Sequence, residues 1–302
     1  MASEFGGSGI LFLEHINLGI QDGGEATTPS GKFYLDVLGC ARDPRLEWLV
    51  HANMGLNQFH ILPNERVNQR FNGEIGLFYT DLDALAKHFK SLSYPYEEVA
   101  GEKPGSFEQW DLINATKYKH LVIMDPSQNK LMCFESPLGY VDSERARGTQ
   151  PGASSMGDGV PYLKFLARPG TASGIARFYQ RYLGATCKVL PTRSQNRRVC
   201  SITCGPLQKL LFEESDDDLL PYDGHHICLY IDNFEASYKQ IAASRLNWNT
   251  PLFGDRCDTW ELTQKHQQFR FLRVEDPESG ELLLELEHEV RTVAHPRWPM
   301  FS

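Results

Sequence analysis

The side chains able to do chemistry recur at similar places. His15 opens the run HINLGI and His226 opens HICLYI, two stretches whose apolar cadence suits a strand. An imidazole there is a metal ligand or a proton shuttle if it faces a cleft, and a satisfied core group otherwise. His225 and His226 are adjacent, so in a strand they face opposite ways and at most one points inward. Glu74 opens EIGLFY, and Glu285 lies in ELLLELE. A carboxylate directed inward is costly unless paired or metal-bound, so both need partners. The run EESDDD from Glu213 reads as a solvated loop in preference to a calcium site. Seven cysteines with no CxxC pair argue against a disulfide framework or a zinc ribbon. Cys200 and Cys204 share one strand face and read as small buried hydrophobes.

The elements that position these groups repeat. Phe33-Tyr34-Leu35-Asp36-Val37-Leu38-Gly39 is echoed by Phe178-Tyr179-Gln180-Arg181-Tyr182-Leu183-Gly184. Asp125-Pro126 and Asp276-Pro277 each precede the last strand-like run of a half. Each half divides again, because four segments share one cadence: 15–20, 74–79, 162–167 and 226–231. Helix-like stretches follow, among them DLDALAKHFKSL with Asp81 as N-cap, and DNFEASYKQIAASRL with Asp232 or Asn233 as cap. Two or three further strand-like runs come next, so the unit is βαβββ, used four times. The polar Gly/Ser/Pro segment 140–159 reads as a linker near the midpoint.

Composition limits the function. A chain of 302 residues suits two domains, and 41% hydrophobic with 23% charged residues is ordinary for a globular protein. The formal net charge of −9, with no basic run, speaks against nucleic-acid binding. No stretch approaches the roughly 20 apolar residues of a membrane span. MASEFGGSG has no basic and apolar signal regions and reads as a short lead-in. Reduced cysteines without a signal fit a cytoplasmic location.

This arrangement resembles the vicinal oxygen chelate superfamily, which includes glyoxalase I, bleomycin resistance proteins and extradiol dioxygenases. The likeness rests on the strand starts with His15 and His226, the two FYxxxLG stretches and the two Asp-Pro turns, and covers about Gly9 to Glu289. It implies an α+β fold of four βαβββ modules paired into two open barrel-like, glyoxalase-type domains. These are 9–139 (modules 9–68 and 70–139) and 160–290, joined by 140–159 and followed by a tail, 291–302. It also implies a divalent metal (Zn, Fe, Mn, Ni or Co) in a cleft, held from the first and last strands of the modules. Carried over by position, the ligands are His15, His60, Glu74 and Cys133, where family members usually have a carboxylate in place of Cys133. Glu135, two residues on and on the same face, is the candidate general base. The second barrel offers His226, Glu285 and Tyr162, too few for a tight site. Arg66 and Arg70 would be the cationic anchors for a glutathione conjugate, or else ordinary loop residues.

The resemblance implies a metal-dependent enzyme of glyoxalase-like type acting on a small molecule with adjacent oxygens. One alternative is an Fe(II) extradiol-type ring-cleaving dioxygenase, which two histidines and a carboxylate would suit. The other is a non-catalytic small-molecule binding protein. A homodimer is compatible with each, and no membrane or nucleic-acid partner is expected.

Overall fold

The computed structural model describes residues 9–46, 48–64, 66–192 and 197–299, so the opening segment 1–8 and the last three residues of the expected tail lie outside the described residues. The chain is mixed α+β, and three of its modules follow the expected βαβββ plan, while the fourth has a second helix and a single isolated bridge at Asn247 where the first strand after the helix was expected. Module one has β1 (Ile10–Ile20), a short helix α1 (Pro29–Lys32) that continues as a π turn over Phe33–Val37, then β2 (Ala41–Arg42), β3 (Val50–Met54) and β4 (Asn57–Pro63). Module two has β5 (Gly73–Tyr79), α2 (Leu82–Ser91), β6 (Glu97–Val99), β7 (His120–Met124) and β8 (Lys130–Glu135).

The expected linker is partly structured. Helix α3 (Tyr140–Arg147) occupies its first half, and β9 (Gly157–Ala167) begins within its last residues. Its polar composition concealed two internal partners. Tyr140 OH donates to Glu144 Oε1 (3.2 Å) and Arg147 Nη1 donates to the same oxygen (3.1 Å), which lets these polar residues be buried.

Module three continues with α4 (Ala172–Leu183), β10 (Cys187–Pro191), β11 (Arg198–Cys204) and β12 (Gln208–Glu214). Module four has β13 (His226–Ile231), α5 (Phe234–Ala243), α6 (Trp260–His266), β14 (Gln268–Glu275) and β15 (Leu282–Thr292).

The chain forms two compact units: 15–164 with 299, and 9–14 with 165–298. The boundaries fall inside two continuous strands, between Glu14 and His15 of β1 and between Lys164 and Phe165 of β9.

In the unit of modules one and two, β1 pairs parallel with β4, with Asn17 opposite His60, and β3 and β2 add antiparallel. Module two copies this: β5 pairs parallel with β8, with Leu77 opposite Cys133, followed by β7 and β6. Asp81 caps α2 through Ala84 N–H at 2.8 Å. The Asp125 turn closes on Asn129, whose N–H donates to Asp125 Oδ1 (2.7 Å), and Tyr34 OH anchors Asp125 from the first FYxxxLG stretch (2.9 Å).

In the other unit, β12, β11 and β10 run antiparallel. β13 pairs parallel with β15, and β14 flanks β15. Arg177 grips the Asp276 turn with Nε at 3.0 Å and Nη2 at 2.5 Å. Asn233 stands at the N-cap of α5. Gly39 and Gly184, the last residues of the two FYxxxLG stretches, have φ of +67° and +62°. Both end a helical segment in the left-handed conformation that glycine adopts without strain.

Both cores are built from buried aromatic and aliphatic side chains, with Phe59, Phe78 and Phe89 among the largest of one unit and Phe12, Tyr179 and Tyr230 of the other. Cys200 and Cys204 are free thiols within the second core. In EESDDD, Glu213 and Glu214 end β12, while Asp216, Asp217 and Asp218 are exposed.

Candidate functional site

Module four carries the densest buried polar cluster. His226 is the first residue of β13, and its partner strand β15 presents Glu287 opposite it and Glu289 opposite Cys228. His226 Nε2 lies 3.6 Å from Glu289 Oε2, and both side chains are about 3–4% exposed. Burial, outweighing the nearby Glu289, lowers the proton affinity of His226 below the ordinary histidine value, so the ring is neutral near pH 7. His225, facing the other way, bonds Asp223 at 2.7 Å and stacks on Phe165.

Glu289 is held from two sides. Arg270 Nη2 donates to Oε2 (2.5 Å) and Arg291 Nε donates to Oε1 (2.5 Å). Arg270 also binds Glu287 (2.8 Å) and Asp255 (2.7 Å). Arg291 Nη1 reaches Glu14 (2.8 Å) and Tyr230 OH (3.3 Å). Such guanidinium contacts fix a carboxylate's orientation, much as outer-sphere partners fix a metal ligand.

The spacing within the cluster bears on a divalent ion. Two donors on a tetrahedral ion, each about 2.1 Å away, stand roughly 3.4 Å apart. The 3.6 Å between His226 and Glu289 is near that bite and longer than a hydrogen bond. A neutral imidazole nitrogen and a carboxylate oxygen suit Zn, Fe, Mn, Ni or Co. These two residues offer a pair of donors that suits such an ion, with Arg270 sharing Glu289 Oε2.

Glu285 does not join this cluster. It is exposed and lies opposite Arg273. Between Arg273↔Glu285 and Phe271↔His288 the register shifts, with an extra residue on β15. A bulge reverses the alternation beyond it, so the inward carboxylates are Glu287 and Glu289, not Glu285.

In module one, His15 follows Glu14 on β1, and its ring stacks on His60 (centroids 3.8 Å, 24° between planes). His60 in turn stacks on His51 at 3.6 Å and 7°. His60 Nε2 is 3.0 Å from Gln58 Oε1, and Gln58 Nε2 donates to Asp43 (2.7 Å) and Asn53 (2.6 Å). Imidazole lone pairs lie in the ring plane. Near-parallel rings this far apart do not converge on one ion about 2.1 Å from each nitrogen, so His15 and His60 are not joint ligands in this arrangement.

Glu74 and Tyr162, placed in different barrels by the sequence reading, meet directly. Tyr162 OH donates to Glu74 Oε1 at 3.0 Å. Lys164 Nζ stands 3.0 Å from Oε1 and Lys130 Nζ 3.3 Å from Oε2. Burial pushes the Glu74 carboxyl up, but the two ammonium groups outweigh it and hold it below the usual carboxylate range. Two tethered cations thus meet the inward carboxylate, which is the structural alternative to a metal.

Cys133 is fully buried, and burial raises its thiol well above the ordinary value. Glu135 lies at the half-buried end of β8, opposite Tyr79. Arg66 and Arg70 are exposed. Among the described residues, no group of three or more metal-capable side chains includes His60, Glu74, Cys133 or Glu285.

No family model and no curated protein matches the chain. Solved structures do. Glyoxalase I from Zea mays superimposes with a TM-score of 0.51 at 12% identity, over 93% of this chain and 92% of that one. A single-residue variant of the same enzyme gives 0.54 at 11%, over 93% of both chains. A putative dioxygenase from Bacillus subtilis gives 0.53 at 12%, over 94% and 85%. The chain has the vicinal oxygen chelate fold. In module four the parallel pairing of β13 with β15 brings His226 near Glu289. The identity is low enough that the likeness carries fold and not activity.

Proposed function

We propose that this chain is a divalent-metal-dependent enzyme of vicinal oxygen chelate type, with His226 and Glu289 as two ligands and a small molecule with neighbouring oxygens as substrate. The observation that carries this is the 3.6 Å separation of a neutral imidazole nitrogen and an oriented carboxylate oxygen on paired strands. When bound, a divalent ion supplies Lewis-acid stabilisation of charge on a substrate oxygen. The protein's own part is to keep His226 deprotonated by burial, to fix Glu289 between Arg270 and Arg291, and to keep water from these groups.

The finer reading is glyoxalase-like isomerase or lyase chemistry, with Glu135 as the base to be tested. The likeness to a protein described as a putative dioxygenase supports a second reading, Fe(II)-dependent ring cleavage. Elemental analysis of protein purified without added metal tests both. Near-stoichiometric metal, lost in His226→Ala, is expected. Iron with catechol-dependent oxygen uptake favours the second reading, and another metal the first. Metal-free protein that turns over substrate unchanged overturns the proposal. His15→Ala is measured alongside, because His15 occupies in module one the place of His226 in module four.

A further inference from the structure

The segment 140–159, together with the turn between β3 and β4, lines a half-open cavity of about 240 Å³. Its wall includes Asn53, Glu144, Arg145, Thr149, Gln150 and Asp158. Glycines fix this wall by close approach. Gly55, with φ of +59°, has no room for a side chain against the Asp158 carbonyl, and Gly157 has none against the Met54 sulfur. The cavity is therefore built into the packed chain.

Glu144 is the distinctive group. It is only 4% exposed, and its Oε1 takes both the Tyr140 hydroxyl and the Arg147 guanidinium. Among the described residues its Oε2, equally buried, meets no hydrogen-bond partner. A buried acceptor in that condition is costly, and the natural relief is a ligand atom. Across the wall, Asp158 accepts from Ser136 Oγ (2.6 Å) and Thr80 Oγ1 (2.9 Å). Burial pushes both carboxyls above their ordinary range.

We propose that this cavity is a binding site for a small polyol, with a ligand hydroxyl on Glu144 Oε2. Charge selects the class. Two carboxyls, Glu144 and Asp158, are matched by two guanidiniums, Arg145 and Arg147, so a neutral ligand fits better than an ion. A hydroxyl both donates and accepts, and so serves the Glu144 carboxyl in either protonation state. Asn53, Gln150 and Thr149 add polar groups to the wall, the two amide nitrogens being bonded to the carbonyls of Pro151 and Leu56. The volume lies below the usual range for larger organic ligands, about 300–1,000 Å³, which limits the occupant to a few carbons. The site is separate from His226 and Glu289, and its success or failure leaves the metal proposal untouched.

Titration calorimetry with glycerol, erythritol and ribitol on the full chain tests it. Saturable binding of at least one is expected, with amide resonance shifts confined to 144–158 and the β3–β4 turn. Glu144→Gln should weaken binding at least about tenfold, the scale of one hydrogen bond to a charged group. Asp158→Asn should weaken it severalfold. Both variants are checked for native melting, and Asp158→Asn carries the test if Glu144→Gln does not fold. No saturation by any of the three polyols at tens of millimolar, or equal binding by a folded variant, overturns the proposal.

Discussion

Glu289 reaches His226 across two parallel strands with its carboxylate clamped by two arginines, one on each oxygen. Clamping fixes where the oxygen stands before any cation arrives. Removing a ligand should therefore cost more than removing a clamp. His226→Ala and Glu289→Gln are expected to lower metal affinity at least about a hundredfold. Arg291→Lys should lower it about 10–100-fold, as for outer-sphere partners. Metal retained per chain after dialysis, measured by mass spectrometry, reads this order. Equal retention in all three variants would place the metal elsewhere.

Arg270 touches Asp255, Glu287 and Glu289 at once while buried. Arg270→Met leaves three carboxylates without that charge, and a loss of about 3–5 kcal/mol is expected. A bound divalent cation would restore part of it. Added Mn²⁺ or Zn²⁺ should raise the melting temperature of Arg270→Met by more than that of the parent. The same shift in both proteins counts against a cation site in this cluster.

The Glu74 carboxyl is held below its usual value, and this gives a signed pH dependence. A carboxylate lowered on folding stabilises the protein above its unfolded value, about 4.3, and the contribution is lost as the pH falls through the folded value. Glu74→Gln should cost about 2–4 kcal/mol at pH 7, with the half-exposed Lys130 contributing the smaller part. Urea midpoints taken at falling pH should show the variant and the parent converging in acid. A gap that persists at pH 2 would mean the effect is packing, not charge.

Gly76 on β5 lies against the Tyr162 ring, which a methyl group there would overlap. Gly76→Ala should displace the ring, break the bond from Tyr162 OH to Glu74, and destabilise by about 1–3 kcal/mol. Tyr162→Phe removes the same bond without the overlap and should cost less. If the two cost the same in thermal melts, the overlap is relieved without strain.

The repeated plan was legible because local signals agreed. Asp81 is an N-cap, both FYxxxLG stretches end in left-handed glycines, and HLVIMD, KLMCFE and RVCSITCG coincide closely with strands. His226 was legible as the head of its strand. Glu289 was not, because counting along ELLLELEHEV assumes unbroken alternation and the β15 bulge inserts a residue. The pairing of Glu74 with Lys130 and Lys164 was hidden because those lysines sit on other strands far along the chain. The helix at 140–147 was hidden because its polar residues bury each other and leave no apolar stripe to read.

In modules one, two and four the opening strand pairs with the closing one, as in Asn17 with His60, Leu77 with Cys133 and His226 with Glu287. A ribosome emitting this chain thus releases each opening strand long before its mate. The early strand must wait, exposed, for contacts of high sequence separation, which are slow to form. Each module should consequently fold late and all at once, and chaperone demand during synthesis should rise and fall in step with the repeat.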